Sequence, residues 1–208
     1  VPTAAFDLYL VTDRTQTRGR DLLWVLEQAL EGGVNAVQLR EKDLGGRDLF
    51  DLAEKARRLC ERYRASLFIN DRVDVALAVD AAGVQLGKTS LPIGTARTLL
   101  GRKKLIGASI HSLEELTEAK KGGADFVLFG PVYFTPSKAS FGAPQGLAAL
   151  QNIVEKSALP VYAIGGITSE NTNAVKNLGV RGIALIAAII SAESPKETAQ
   201  AIVQLLRR

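Results

Sequence analysis

The sequence predicts an α/β fold, a closed TIM (β/α)8 barrel, as a single domain over residues 1–208. Three observations predict it. Short apolar, β-rich runs alternate with amphipathic stretches along the chain, a pattern that calls for a parallel sheet with helical crossovers. The alternation recurs eight times, which favours closure over an open doubly wound sheet. No linker or low-complexity stretch interrupts it, and 208 residues suffice for one core of this kind.

The elements follow in order. A first strand is read over Asp7–Asp13 and a helix over Asp21–Glu31, where Leu22, Val25, Leu26 and Ala29 share one face and Gly32-Gly33 ends the run. Strand Ala36–Arg40 leads to a helix over Gly46–Tyr63, and strand Leu67–Asn70 to a short helix over Val73–Val79. After strand Gly83–Gly87, a helix begins near Pro92, a residue suited to a first turn. Strand Leu105–Ser109 precedes helix Leu113–Gly122, whose Ser112 and Glu115 have capping-box spacing. Strand Phe126–Gly130 is followed by a longer loop and a helix over Gly146–Glu155. The last two units are strand Pro160–Gly165 with helix Asn171–Leu178, and strand Gly182–Ile186 with helix Pro195–Leu206.

Composition narrows the function classes. Aromatics are 6% against 47% hydrophobic residues in all, so the core is expected to be mainly Leu, Ile, Val and Ala. The one cysteine, Cys60, excludes an internal disulfide, suits a reducing compartment, and reads as a buried apolar residue. No signal peptide or membrane-length apolar run is present, so a cytoplasmic location is expected. The net charge of +4 favours anionic ligands, phosphorylated metabolites included. The basic residues are scattered, with pairs such as Arg57-Arg58 and Lys103-Lys104, and no nucleic-acid motif accompanies them.

In a TIM barrel, ligand groups gather at the carboxyl ends of the strands. There the second strand ends in Gln38, Arg40 and Lys42, which alternate and would project to one side as an anion site. The third ends in Asn70-Asp71, where Asp71 suits Mg²⁺ or, equally, a helix cap, and Asn70 suits a phosphate oxygen. The fifth ends in Ser109-Ile-His111. The sixth opens into a loop with Thr135, Ser137 and Lys138, two hydroxyls and an ammonium suited to phosphate. The seventh ends in Ile164-Gly165-Gly166-Ile167, paired glycines that suit phosphate binding or a tight turn. Gly83 with Gly87-Lys88-Thr89 is one residue short of a nucleotide-triphosphate loop. His111 is the only histidine, which leaves no zinc site of ordinary spacing and no serine–histidine relay.

Gln38-Leu-Arg-Glu-Lys42, Asn70-Asp-Arg-Val-Asp-Val-Ala-Leu-Ala78, Gly130-Pro-Val-Tyr-Phe-Thr-Pro-Ser-Lys138 and Ala163-Ile-Gly-Gly-Ile167 together resemble the thiamine-phosphate synthase family, in the same order over nearly the whole chain. The resemblance implies a Mg²⁺-assisted transferase joining a pyrimidine diphosphate to a thiazole phosphate with release of pyrophosphate. It implies that Gln38 addresses the pyrimidine, that Arg40, Lys42, Asn70, Ser109 and Lys138 hold the pyrophosphate, and that Asp71 binds the metal. Thr135, Ser137, Gly166 and the Ile186-Ala187 turn would hold the thiazole phosphate. The partners implied are these small phosphorylated substrates, with neither nucleic acid nor membrane, and a homo-oligomer is compatible with the pattern. One segment departs from it. Synthases usually read Val-His-Leu-Gly-Gln with an acidic pair after the fourth strand, whereas this chain has Val84-Gln85-Leu86-Gly87-Lys88-Thr89-Ser90. Ser90 stands where a second metal carboxylate is expected. This departure keeps open a thiazole tautomerase-like isomerase and a non-catalytic thiazole-phosphate-binding regulator. Pro131 argues against the isomerase, whose pattern places a histidine directly after the glycine that ends strand six.

Overall fold

A computed structural model describes residues 3–135 and 143–207. Within them β1 (Leu8–Val11), β2 (Ala36–Leu39), β3 (Ser66–Asn70), β4 (Gly83–Leu86), β5 (Leu105–Ile110), β6 (Phe126–Phe129), β7 (Val161–Ile164) and β8 (Gly182–Leu185) pair in parallel, in sequence order, and β8 returns to β1 to close the barrel. The helices between them are α1 (Leu22–Glu31), α2 (Gly46–Arg62), α3 (Val73–Ala78), α4 (Ile93–Leu100), α5 (Leu113–Gly122), α6 (Gly146–Lys156) and α7 (Thr172–Lys176). After β8 come a short α8 (Ala187–Ile190) and the closing α9 (Pro195–Arg207).

Strand alternation divides the apolar residues into two layers. One face carries Leu8, Leu10, Val37, Leu39, Leu67, Ile69, Val84, Leu86 and Ile106, which pack beneath the helices with Val25, Leu26, Ala53 and Ile202. The other fills the barrel with Phe6, Tyr9, Phe68, Phe126, Leu128 and Tyr162. The outer layer is the aliphatic core expected from composition, but the inner one is largely aromatic. Phe6 stacks on Tyr162 with ring centroids 4.4 Å apart and meets Phe126 edge-on at 5.3 Å. The Tyr162 hydroxyl shares its one hydrogen between the carbonyls of Ala4 at 3.1 Å and Phe6 at 2.9 Å, so this plug fills the amino-terminal end. Strands four to six residues long are short enough for one aromatic layer to fill that end.

Several boundaries differ from the sequence reading. The first strand is Leu8–Val11 because Asp13 turns aside to cap a 3₁₀ turn, Arg14–Gln16, accepting from the Thr15 N–H. Asp21 caps α1 through the Trp24 N–H instead of lying inside it. Pro92 is the cap residue of α4 rather than part of its first turn. Ser112 accepts from the Glu115 N–H as a capping box requires, but the Glu115 carboxylate takes the N–H of His111 instead of that of Ser112. Cys60 is buried, and burial pushes its thiol up to about 12, in keeping with an apolar role. Among the described residues, no helix is long and apolar enough to cross a membrane.

Candidate active site

Above the aromatic plug, the inward positions of four consecutive strands become polar: Gln38 on β2, Asn70 on β3, Gln85 on β4 and Ser109 on β5. Gln38, 2% exposed, donates through Nε2 to the Tyr9 hydroxyl at 3.4 Å, which orients its amide at the floor of the mouth. Asn70 lies opposite Gln85 in the β3–β4 register. The Gln85 Nε2 donates to Ser109 Oγ at 3.0 Å. Gln38, Asn70 and Ser109, each read at the carboxyl end of a strand, thus share one wall; Gln85 was not anticipated as a member. Its signal was a lone amide between Val84 and Leu86 in a strand that is otherwise apolar.

The alternation expected for Gln38, Arg40 and Lys42 does not extend past β2. The strand ends at Leu39, Arg40 is half-buried, and Lys42 lies in a turn and is exposed. The break comes from Glu41, which is buried and accepts from the Thr12 hydroxyl at 2.6 Å and from the Arg14 N–H at 3.1 Å. Arg14 adds a guanidinium contact to Glu41 and two to Asp43, which straps the turn to the end of β1. Thr12 Oγ1 in turn accepts the Arg40 N–H at 2.9 Å. Arg40 therefore has a braced backbone. Burial raises the Asp13 carboxyl, but hydrogen bonds from Thr15 and Gln16, with a contribution from the Arg40 charge, hold it below its ordinary value.

Asp71 does not cap the helix that follows it. Arg72 is the α3 cap residue and makes no side-chain cap bond. Asp71 has φ +61°, a left-handed conformation that aspartate tolerates better than most residues, and its N–H donates to the Gln85 carbonyl at 3.0 Å. Its carboxylate accepts from the Asn70 amide at 2.7 Å and from the Ser90 hydroxyl. Ser90 Oγ also accepts the Gly87 N–H at 2.7 Å, so the β3 and β4 loops join at Asp71 and Ser90. Lys88, in that same β4 loop, is exposed.

Thr135 lies just past β6, half-buried, whereas Ser137 and Lys138 fall outside the described residues. The first part of their loop is held against the β7 turn: the Val132 N–H donates to Ile164 O at 2.9 Å and the Tyr133 N–H to Gly165 O at 3.0 Å. A side chain at Gly165 would meet Pro131 at 2.5 Å, and one at Gly166 would meet Phe134 O at 2.5 Å. Both glycines have positive φ, so conformation and close approach each require them. The Asn171 amide donates to Gly166 O at 3.0 Å and steadies the turn. Ile186 is the cap residue of α8, whose first residue, Ala187, is exposed. The His111 ring donates through Nδ1 to the Gly130 carbonyl at 2.5 Å, because a carbonyl can only accept. No group of three or more His, Cys, Asp or Glu that could hold a metal occurs among the described residues.

A family model described as thiamine monophosphate synthase matches residues 8–189. A putative thiamine-phosphate synthase of Geobacter sulfurreducens is 51% identical over 201 residues, covering 97% of this chain and 94% of the relative. The thiamine-phosphate synthase of Clostridium acetobutylicum is 42% identical over 203 residues, with 98% and 96% covered. Among solved structures, thiamine phosphate pyrophosphorylase from Pyrococcus furiosus superposes with a TM-score of 0.89 at 40% identity, covering 98% of this chain and 96% of that one.

Proposed function

The chain belongs to the thiamine monophosphate synthase family and is a transferase of that class, and from this premise we propose that it condenses hydroxymethylpyrimidine diphosphate with thiazole phosphate, giving thiamine phosphate and pyrophosphate. The observation that carries the reading is the mouth itself: amides and a hydroxyl on the inner wall, Arg40 with a braced backbone just past β2, and Asp71 held by Asn70 just past β3.

In this reaction the bond from the pyrimidine methylene to the diphosphate oxygen breaks, and the electron pair leaves with pyrophosphate. Positive charge appears on an aminopyrimidine that delocalises it. The thiazole nitrogen then donates its lone pair to the methylene, forming the C–N bond of a thiazolium. No proton is removed, so no strong base is required, consistent with a wall built from Gln38, Asn70 and Ser109. Gln38 orients the pyrimidine. Arg40, Lys42, Asn70, Ser109 and Lys138 hold the leaving pyrophosphate, and donors already in place lower the barrier because they need not reorganise as charge develops. Thr135, Ser137, Gly166 and the Ile186-Ala187 turn hold the thiazole phosphate.

Mg²⁺ prefers one or two carboxylates together with substrate phosphates and water. Asp71 meets the lower bound, and the adjacent Ser90 hydroxyl supplies a neutral oxygen. The donor set fits a one-carboxylate ion whose remaining partners come from the diphosphate. Bound there, the ion would neutralise charge on the leaving group. The substrates are small phosphorylated molecules, and the site calls for neither nucleic acid nor membrane.

The test is pyrophosphate release with both substrates, with and without Mg²⁺. Release that requires both substrates is expected; none at high enzyme concentration would overturn the reading. Isomerisation of a thiazole precursor is favoured by one observation, the contact of His111 with Gly130 where β6 ends. A spectroscopic assay of the thiazole tautomer separates the two.

A further inference from the structure

Gln85 is 1% exposed, and its Oε1 is the one buried side-chain polar atom without a hydrogen-bond partner among the described residues. An orphaned buried carbonyl is destabilising, and a leucine of similar size would remove that cost. The barrel nevertheless makes room for the amide. A Cβ at Gly107, its register partner on β5, would lie 2.3 Å from Oε1 and 2.4 Å from the Phe126 ring, so glycine there leaves room for both the amide and the plug beneath it. Such a departure from the most stable choice points to what the other end of the amide does.

That end donates to Ser109 Oγ at 3.0 Å. A hydroxyl has one hydrogen to give. With a lone pair of Oγ engaged by Gln85, the Ser109 O–H is left to donate elsewhere, and Ser109 is half-buried at the mouth. Exchanging the ends of the amide would instead spend the Ser109 hydrogen on the Gln85 carbonyl and leave both amide N–H donors unpaired. The orientation seen keeps one N–H paired and leaves the Ser109 hydrogen available.

We infer that Gln85 is a positioning residue that fixes the polarity of Ser109, keeping its hydroxyl a donor toward the departing pyrophosphate. The inference rests on the reading above that Ser109 contacts that group.

Four variants test it: Gln85→Leu, Ser109→Ala, the double variant and Gln85→His, whose neutral imidazole can again present an N–H. Gln85→Leu should melt no lower than the parent. It should lose about tenfold in kcat, the size expected for one hydrogen bond to a charged group, and weaken binding of inorganic pyrophosphate, while KM for thiazole phosphate stays within about twofold. Added to Ser109→Ala it should change nothing further, since the two act as a unit. Gln85→His should restore turnover to within about threefold of the parent. Full turnover in Gln85→Leu alongside a damaged Ser109→Ala would overturn the inference and leave the site map standing. Full turnover in Ser109→Ala would overturn the site reading itself. Additive losses, failed rescue by histidine, or a large drop in melting temperature for Gln85→Leu would each mean that Gln85 acts otherwise than through Ser109.

Discussion

At position 90 a hydroxyl faces Asp71 where the family pattern expects a carboxylate, and the consequences can be worked out atom by atom. Ser90 donates to Asp71 and accepts from Gly87, so it ties the carboxylate to the β4 loop without adding charge. Ser90→Asp would place two carboxylates in contact, a repulsive pair without metal and a stronger Mg²⁺ site with it. Its melting temperature should therefore fall below the parent's without Mg²⁺ and rise more steeply as Mg²⁺ is added, as linkage requires. Equal Mg²⁺ responses in thermal melts of the two proteins would exclude Asp71 and Ser90 as the metal position. Arg40 is the other residue whose surroundings support a magnitude. Its backbone is fixed by Thr12, and removing one well-placed donor to a developing anion costs about 10²–10³ in kcat. Arg40→Ala should show that loss in the pyrophosphate-release assay with a native circular dichroism spectrum; turnover near the parent value would remove Arg40 from the site.

Among elements, the β6 and β7 ends form one unit. Pro131, Tyr133 and Phe134 close on Gly165 and Gly166 so tightly that neither glycine has space for a methyl group. Gly166→Ala combines φ +64° with a contact at Phe134 O, so it should lower the melting temperature by several degrees, about 2–4 °C for each kcal/mol of strain. It should also raise KM for thiazole phosphate more than it lowers kcat, because the displaced loop is the one leading to Thr135. Unchanged KM in steady-state kinetics would mean that this turn serves only packing. The element scale also shows where sequence reasoning carried through and where it stopped. Strand order and closure were legible because apolar runs on both faces of every strand leave few other folds. The placement of Gln38, Asn70 and Ser109 at the carboxyl ends of their strands was legible from the order of the elements, and their common inward direction came only with the barrel register. Alternation failed after Leu39, since Glu41 finds partners in Thr12 and Arg14 that lie far away in sequence and turn the chain. Asp71 was ambiguous between cap and ligand for the same reason: Ser90, the residue that engages its carboxylate, sits on a different strand's loop.

Over the whole molecule, the barrel interior is divided along its axis, and the division separates stability from chemistry. Its amino-terminal end is closed by Phe6, Phe68, Phe126, Tyr9 and Tyr162, packed ring on ring. The mouth carries the amides, hydroxyls and charges. Gln38 bridges the two zones through the Tyr9 hydroxyl, and burial holds that phenol far above its ordinary pKa, so it remains a neutral hydrogen-bonding group. Phe6 makes the contrast testable. It precedes β1, stacks on Tyr162, and has no contact with the polar wall in any ring pair it makes. Truncating a buried phenylalanine to alanine costs about 3–5 kcal/mol through lost burial and the cavity left behind. For a chain of this length that is a fall of roughly 10 °C in melting temperature. Well below the transition, Phe6→Ala should keep kcat and both KM values within about twofold of the parent, because the polar wall is held by its own hydrogen bonds at the opposite end of the strands. Arg40→Ala should do the reverse, melting like the parent and turning over poorly. Crossed thermal melts and kinetics of the two variants check the division directly. A Phe6→Ala protein that stays folded but loses activity in step with Arg40→Ala would mean that the plug sets the height of Gln38 through Tyr9, and that the two zones work as one.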